Sequence, residues 1–344
     1  MVTSYVGADV DGKMTELAVE RKGKIVTRDR LPTDIKSLRE FLGSIPGRKV
    51  MVIEEGPMSG WLYRNLRSNV DQFVVCDPRR NKAIYDDGDK ADPIDAAELA
   101  ALQRGGYTRE VYHTADEERL ALKEATALYH DRVREAVRQV NKLRGLCRGH
   151  GVRIPGQALK DRSYRACWLK ELQLPVLTKH LSILWIGFDA VLNQVRMCRR
   201  EILRRTKAYP MIGYWKDLPG VGIIRATTLF AYLDTPWRFK TPKKLFKYCG
   251  IGLKRTASGT DKDGTPKAGH LRLFRCVNRK LKAAIQGAAL NAIWQDKNPF
   301  AEYYHRMVRN GMIPSNARHA VARKMLSVMW GMWKTHCRYD ERLV

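Results

Sequence analysis

The chain predicts an α/β module followed by a larger all-α one. Short strand patterns crowd residues 1–80, and two long stretches at 116–148 and 177–205 space their apolar residues alternately four and three apart. Charge divides in the same place: residues 1–105 hold 17 basic and 17 acidic side chains, while 106–344 hold 46 basic against 19 acidic and so carry the whole net charge of +27. Lys and Arg gain affinity for phosphates by releasing counterions, so the pattern implies a neutral module followed by one that grips nucleic acid. A basic membrane-surface protein would share the sign, but neither a lipidation signal nor a long apolar span is evident, and no membrane partner is expected. At 344 residues there is room for two or more domains with proper cores. The seven cysteines are scattered without a C-x-x-C pair, which points away from zinc and from a disulfide framework. The N-terminus is patterned as a strand rather than a signal peptide, so a cytoplasmic protein is expected. No Walker motif or G-x-G-x-x-G occurs.

Residues 5–10, 15–21 and 24–30 read as a meander of three strands separated by Gly12 and Gly23. A helical stretch near 33–43 follows, then the apolar strand Val50-Met51-Val52-Ile53 ending at Glu54, a helix near 59–68 and the strand Phe73-Val74-Val75-Cys76. Three antiparallel strands followed by strands alternating with helices match an RNase H-like order, which sets acids at strand ends and on a final helix. The acidic stretch 86–95 supplies that helix start: Asp92 suits a cap, Pro93 the first helical position, and Asp95 faces the same way three residues on. Asp9 or Asp11 could supply the first strand acid. Glu54, directly after the apolar run, is favoured over Glu55 for the second. Convergent carboxylates of this kind take a hard divalent cation, Mg2+ or Mn2+.

The seams Leu122 to Cys147 and Leu177 to Ile202 have the heptad spacing of a coiled coil, within or between subunits. They are joined by a Gly/Pro-punctuated link at 149–175. Their flanking arginines, of one sign over more than a turn, are expected to contact phosphate. A new domain begins near 210. Leu218-Pro219-Gly220-Val221-Gly222 before a helix has the form of a helix-hairpin-helix, in which Gly220 and Gly222 let backbone amides approach phosphate. A cation-rich loop follows, containing Lys254, Arg255, Ser258 and Lys267, and then a basic helix from His270 through Arg272 and Arg275 to Arg279, Lys280 and Lys282. Spacing alone makes Ser258 an ordinary loop serine.

Two sets of motifs nearly 250 residues apart give the chain its resemblance. Gly7-Ala8-Asp9-Val10, Val52-Ile53-Glu54-Glu55-Gly56 and Asp89-Lys90-Ala91-Asp92-Pro93-Ile94-Asp95-Ala96 form the first. Leu218 to Gly222, Phe239, Tyr248-Cys249-Gly250-Ile251, Ser258-Gly259, Lys267 to Arg272 and Ala322-Arg323-Lys324 form the second. In this order they resemble the IS110 family of insertion-sequence transposases, related to Piv-type DNA invertases. The resemblance implies a RuvC-like domain (1–108) whose Asp9, Glu54, Asp92 and Asp95 bind Mg2+, and a coiled-coil linker used in assembly (109–209). It further implies a mainly helical transposase domain (210–344) in which Ser258 is the nucleophile. It also implies donor and target DNA, a homo-oligomer of two or four chains, and a structured non-coding (bridge) RNA as guide. Gly220, Gly222, Lys254, Arg255, Lys267, Arg272 and Arg275 are the expected nucleic-acid contacts. The competing expectations are a RuvC-like junction nuclease using metal-activated water, and a non-catalytic RNA- or DNA-binding protein.

Overall fold

The computed structural model describes residues 2–81, 92–256, 270–274 and 277–344. The chain divides into two compact units, residues 1–117 and 118–344.

In the first unit, β1 (Thr3–Val10), β2 (Met14–Arg21) and β3 (Lys24–Pro32) form an antiparallel meander. The tight β2–β3 turn rests on Lys22 and Gly23, both at positive φ, as a two-residue hairpin requires. Then come α1 (Ile35–Ser44), β4 (Arg48–Glu54), α2 (Ser59–Leu66), β5 (Gln72–Cys76), the short α3 (Pro78–Asn81) and α4 (Asp92–Gly105). The sheet order is β3-β2-β1-β4-β5, with β4 parallel to β1 and β5 parallel to β4. Strand alternation sorts the side chains into two layers. Val6, Ala8, Met51, Ile53, Phe73 and Val75 pack with Leu38, Phe41 and Leu42 of α1 and Leu62 and Leu66 of α2. Val50, Val52, Val74 and Cys76 face the other way, against Leu99 of α4.

The second unit begins with a helical hairpin. The helices α5 (Glu117–Gly149) and α7 (Pro175–Thr206) run antiparallel, with Leu143 and Cys147 packed among Leu177, Leu181, Trp185 and Phe188. The opposite end is tied by Arg205 to Glu118 at 3.0 Å, and Arg132 donates to Gln194 Oε1 at 3.3 Å between. The two ends of the apolar seam are thus paired within one chain, while Tyr129, Val133 and Ala136 in its middle are half-buried. The link between them holds α6 (Arg162–Glu171), where only a punctuated connection is expected from the sequence. Asp161 caps it by accepting from the amides of Ser163 and Tyr164. Contrary to expectation, α7 is long and apolar enough to cross a bilayer by length and composition. Its most deeply buried residues are those of the seam with α5.

The chain continues through α8 (Pro210–Lys216), α9 (Ile223–Leu233), α10 (Pro242–Tyr248), β6 (Leu253–Thr256), β7 (His270–Leu273), α11 (Arg279–Gln295), α12 (Pro299–Arg309) and α13 (Pro314–Thr335). The core gathers around Trp215, Phe230 and Trp333, with Trp215 Nε1 donating to the Met329 carbonyl at 3.0 Å. Four alanines of α11 (Ala284, Ala288, Ala289 and Ala292) allow close packing within it. The base of α5 joins this core through Leu122, and Arg119 pairs with Asp234 at 3.2 Å. The expected basic helix from His270 is corrected: 270–273 is a strand paired with β6, and the helix starts at Arg279, where Asn278 Oδ1 accepts from the amides of Lys280 and Leu281. The alternating Leu271-Arg272-Leu273 satisfies a strand, and a capping residue a few positions later restarts the chain as a helix.

Candidate active site and nucleic-acid interface

The register of the sheet places the acids. Gly7 pairs with Val52 and Ala8 with Ile53 across parallel β1 and β4, so the next residues, Asp9 and Glu54, stand side by side. Both fall on the same face as Val50 and Val52, the face that α4 covers. Asp9 also lies opposite Glu16 of β2, and Glu54 opposite Cys76 of β5. This alternation favours Glu54, whereas the neighbouring Glu55 is exposed, with its amide donating to the Cys76 carbonyl at 2.9 Å.

Two anchors fix the direction of α4. A Cβ on Gly7 would lie 1.9 Å from the Ala96 carbonyl oxygen and 2.7 Å from the Ala100 nitrogen, so helix backbone rests directly on β1 there. Arg104, near the end of α4, pairs with the buried Glu20 on β2, toward the far end of the strands. The first turn of α4 therefore lies toward the Asp9 and Glu54 end. Asp95, one residue before Ala96, is half-buried, and the backbone of Asp92 begins the same turn. The side chain of Asp92 lies outside the described residues.

Two carboxylates not singled out by sequence border this place. Glu16 is held by Arg30 at 3.0 Å and is thereby partly neutralised. Burial, and then the negative charge of Asp95, push the Glu98 carboxyl above the usual carboxylate range. Its signal was available as a third acid at i+3 from Asp95. The donor set is entirely carboxylate oxygen, the chemistry a hard divalent cation takes. Among the described residues no three such side chains close around one point.

In the second unit, β6 and β7 pair Lys254 directly with Arg272, both exposed, and Thr256 with His270. Two cations opposite one another repel unless an anion joins them. Ser258 and Lys267 lie outside the described residues, as does Arg275. Of Arg255 only the backbone, opposite Leu271, is described. The glycines of the hairpin segment differ. Gly220, at φ +77°, packs so closely on α11 that a Cβ would lie 2.2 Å from the Ala288 carbonyl oxygen. Its amide donates to Gln295 Oε1 at 2.8 Å, and its carbonyl accepts from Arg225 at 3.1 Å. That amide is committed to the fold, which corrects the expectation that it meets phosphate. Gly222 is exposed and begins α9 with no side-chain cap.

Comparison with known proteins then assigns the chain. Residues 6–150 match a family model described as a DEDD transposase of IS110, and residues 215–305 match the transposase model of the IS116/IS110/IS902 family. The chain belongs to the IS110 family of transposases. Curated relatives agree along nearly the whole chain. A Sinorhizobium fredii protein named as a transposase, y4qE, is 23% identical over 96% of this chain and 88% of its own length. The uncharacterized 43.6 kDa protein of insertion element IS110 from Streptomyces coelicolor is 24% identical over 93% of this chain and 91% of that protein. The first family match includes Asp9, Glu54, Asp92 and Asp95. The second includes Gly222, the β6–β7 pair and Ser258, so the IS110 transposase signature spans both candidate regions.

Several arginines of the α5–α7 hairpin are less available than their sequence suggests. Arg138 pairs with Glu135 at 2.7 Å, Arg134 with Asp131 at 3.1 Å, and Arg204 and Arg205 with Glu201 at 2.7 and 2.6 Å. The two arginines hold the Glu201 carboxyl down at about 2. For Lys142, Arg144, Arg148, Arg196, Arg199 and Arg200 no ion pair occurs among the described residues, and these are cations of the hairpin suited to phosphate.

Proposed function

We propose that this IS110 transposase cleaves and rejoins DNA at a composite site, the acids of an RNase H-like first unit working with Ser258 of the second. The observation that carries the reading is the side-by-side placement of Asp9 and Glu54 on parallel strand ends, on the face covered by α4. The sheet order supports an RNase H-like fold, since a three-strand meander followed by two parallel strands is that topology. Asp9, Glu54 and Asp95, with Asp92 in the same turn, would hold Mg2+ or Mn2+. Such an ion supplies charge to a phosphodiester and lowers the cost of its negative transition state.

The Ser258 hydroxyl attacks phosphorus, its proton passing to a nearby base. A DNA sugar oxygen leaves, and the strand end is held as a phosphoserine ester until a second strand's hydroxyl displaces it. Lys254 and Arg272 hold backbone phosphate beside the segment that bears the serine. A structured RNA guide and a dimer or tetramer complete the reading. The cytoplasm of a prokaryotic cell is the compartment that fits it.

The test is a cleavage assay with element-end DNA in Mg2+, resolved on denaturing gels. Asp9→Asn, Glu54→Gln and Asp95→Asn should each lower cleavage by roughly 10²-fold or more, the size of losing a group that stabilises the transition state. Ser258→Ala should abolish the covalent protein–DNA adduct. Intact cleavage by Ser258→Ala would instead establish a junction nuclease using water. Unchanged recombination by the acid variants would leave a nucleic-acid-binding role.

A further inference from the structure

Near the base of the helical hairpin, α5 and the first turns of α9 and α11 line an open cavity of about 790 Å³. Arg134 lines it from α5, Arg225 from α9, and Arg279 and Lys280 from α11, with no carboxylate among the described lining residues. Gly222 and Ile223 open it to the start of α9, whose amides no side chain caps. Helix starts of this kind favour anions, but here Arg225, Arg279 and Lys280 carry the argument, since Arg134 is already paired with Asp131.

The cations are positioned by the fold. Lys280 Nζ lies 2.8 Å from the Tyr232 hydroxyl. Arg225 is laid along Gly287 of α11, where an added Cβ would come within 3.1 Å of its guanidinium, while it donates to the Gly220 carbonyl. On the wall, Thr228 Oγ1 donates to the Ile224 carbonyl at 2.7 Å, and His130 Nε2 lies 2.8 Å from that same hydroxyl oxygen. The Thr proton being spent, His130 Nε2 is the donor. Burial and the charges of Lys280 and Arg134 keep this imidazole below the ordinary histidine range. It is the cations of the lining, with no carboxylate described among them, that match the cavity to an anion rather than a neutral ligand.

We propose that this cavity seats a backbone phosphate of bound DNA, gripped by Arg279 and Lys280 and by the uncapped amides of α9. The proposal rests on the DNA-handling reading above and adds to it a phosphate seat away from the acids and from the β6–β7 pair. It also divides the hairpin segment: Gly220 fixes the approach to α11 by packing on Ala288 and Ala292, and Gly222 offers the amides. DNA is the occupant because it is the substrate of a transposase. An RNA backbone presents the same phosphate chemistry.

The test uses the full chain and fluorescence anisotropy of labelled element-end duplex, unrelated duplex and single-stranded RNA, each at several salt concentrations. Arg279→Gln is the primary variant because this side chain is exposed and its loss leaves the core intact. Lys280→Gln is the second. Each should weaken binding to both duplexes alike, by about tenfold, and reduce the slope of log K against log salt by about 0.9, the amount expected when one phosphate is no longer neutralised. Gly222→Pro, which removes no charge, should weaken binding without changing that slope by a full unit. If the parent binds DNA and both cation variants keep its slope, the seat is refuted while the transposase reading stands. If the slope falls for RNA alone, the occupant is RNA and the DNA assignment is overturned. If the parent binds no DNA, the proposal falls with the reading on which it rests.

Discussion

Single residues decide how closely the acidic helix can sit on its sheet. Gly7→Ala would bring a methyl group to 1.9 Å from the Ala96 carbonyl oxygen, a clash with backbone that no rotamer relieves. We expect it to cost about 1–3 kcal/mol or more and to move Asp95 away from Asp9. Urea denaturation and Mg2+-dependent cleavage, measured on the same preparation, check it: both should fall, and a fully active, equally stable variant would refute the tight approach. The histidines report on pH. Burial first, then neighbouring cations, lowers His130 (Lys280 and Arg134) and His319 (Arg323, Lys282 and Arg318) below the ordinary value. Between the folded and unfolded values the unfolded chain binds more protons, so the stability these groups permit is complete above roughly pH 6.5 and is lost as pH falls. The urea midpoint should therefore drop between pH 7.5 and 5.5, and the drop should shrink in a His130→Gln, His319→Gln variant. At this scale the sequence narrowed the strand acids to Asp9 or Asp11 and to Glu54 ahead of Glu55, since alternation separates neighbours but puts Asp9 and Asp11 on one face. Glu16 escaped it, since only the pairing of β1 with β2 sets it opposite Asp9, whereas Glu98 was readable as the next acid on the helical face of Asp95.

Among the elements, the hairpin of α5 and α7 was legible as two long helices, because apolar residues spaced alternately three and four apart share one helical face. Its internal pairing was not legible, since the same seam fits a second chain equally well. What settles it is the cluster of Leu143, Cys147 and Leu181 with Trp185, whose ring also carries the buried Arg165 at 3.9 Å. Arg165 in turn reaches Asp189 at 2.9 Å, joining α6 to α7. Trp185→Ala should cost about 3–5 kcal/mol by opening a cavity and leaving that guanidinium without its stacking partner. Thermal unfolding of the full chain gives the number, and a loss below about 1 kcal/mol would mean that the seam is not a core. The helix α6 escaped the sequence reading because its buried residue is an arginine and its packed apolar side chains, Trp168 and Leu169, are adjacent rather than spaced by a helical turn. The strand β7 was mistaken for the start of a helix for the opposite reason: good helix formers downstream, from Arg279 on, overrode a four-residue alternation.

At the scale of the molecule, the first unit is nearly neutral and the second strongly basic, so on the proposed reading chemistry and grip fall to different units. DNA affinity should therefore be steeply salt-dependent, falling by about 10³-fold or more from 50 to 200 mM salt if six or more phosphates are neutralised. Asp9→Asn should leave that dependence unchanged, and filter binding across a salt series measures both. The antiparallel pairing of α5 with α7 has a consequence of its own. With one end fixed in the core by Leu122 and Arg119, and with some thirty residues rising about 1.5 Å each, the hairpin is a ruler roughly 45 Å long. Removing one heptad from both helices at facing positions would shorten it by about 10 Å while keeping the seam in register. Removing it from one helix alone would set the two scales against each other. Whatever the tip near Gly151 touches is therefore met at a distance counted in heptads.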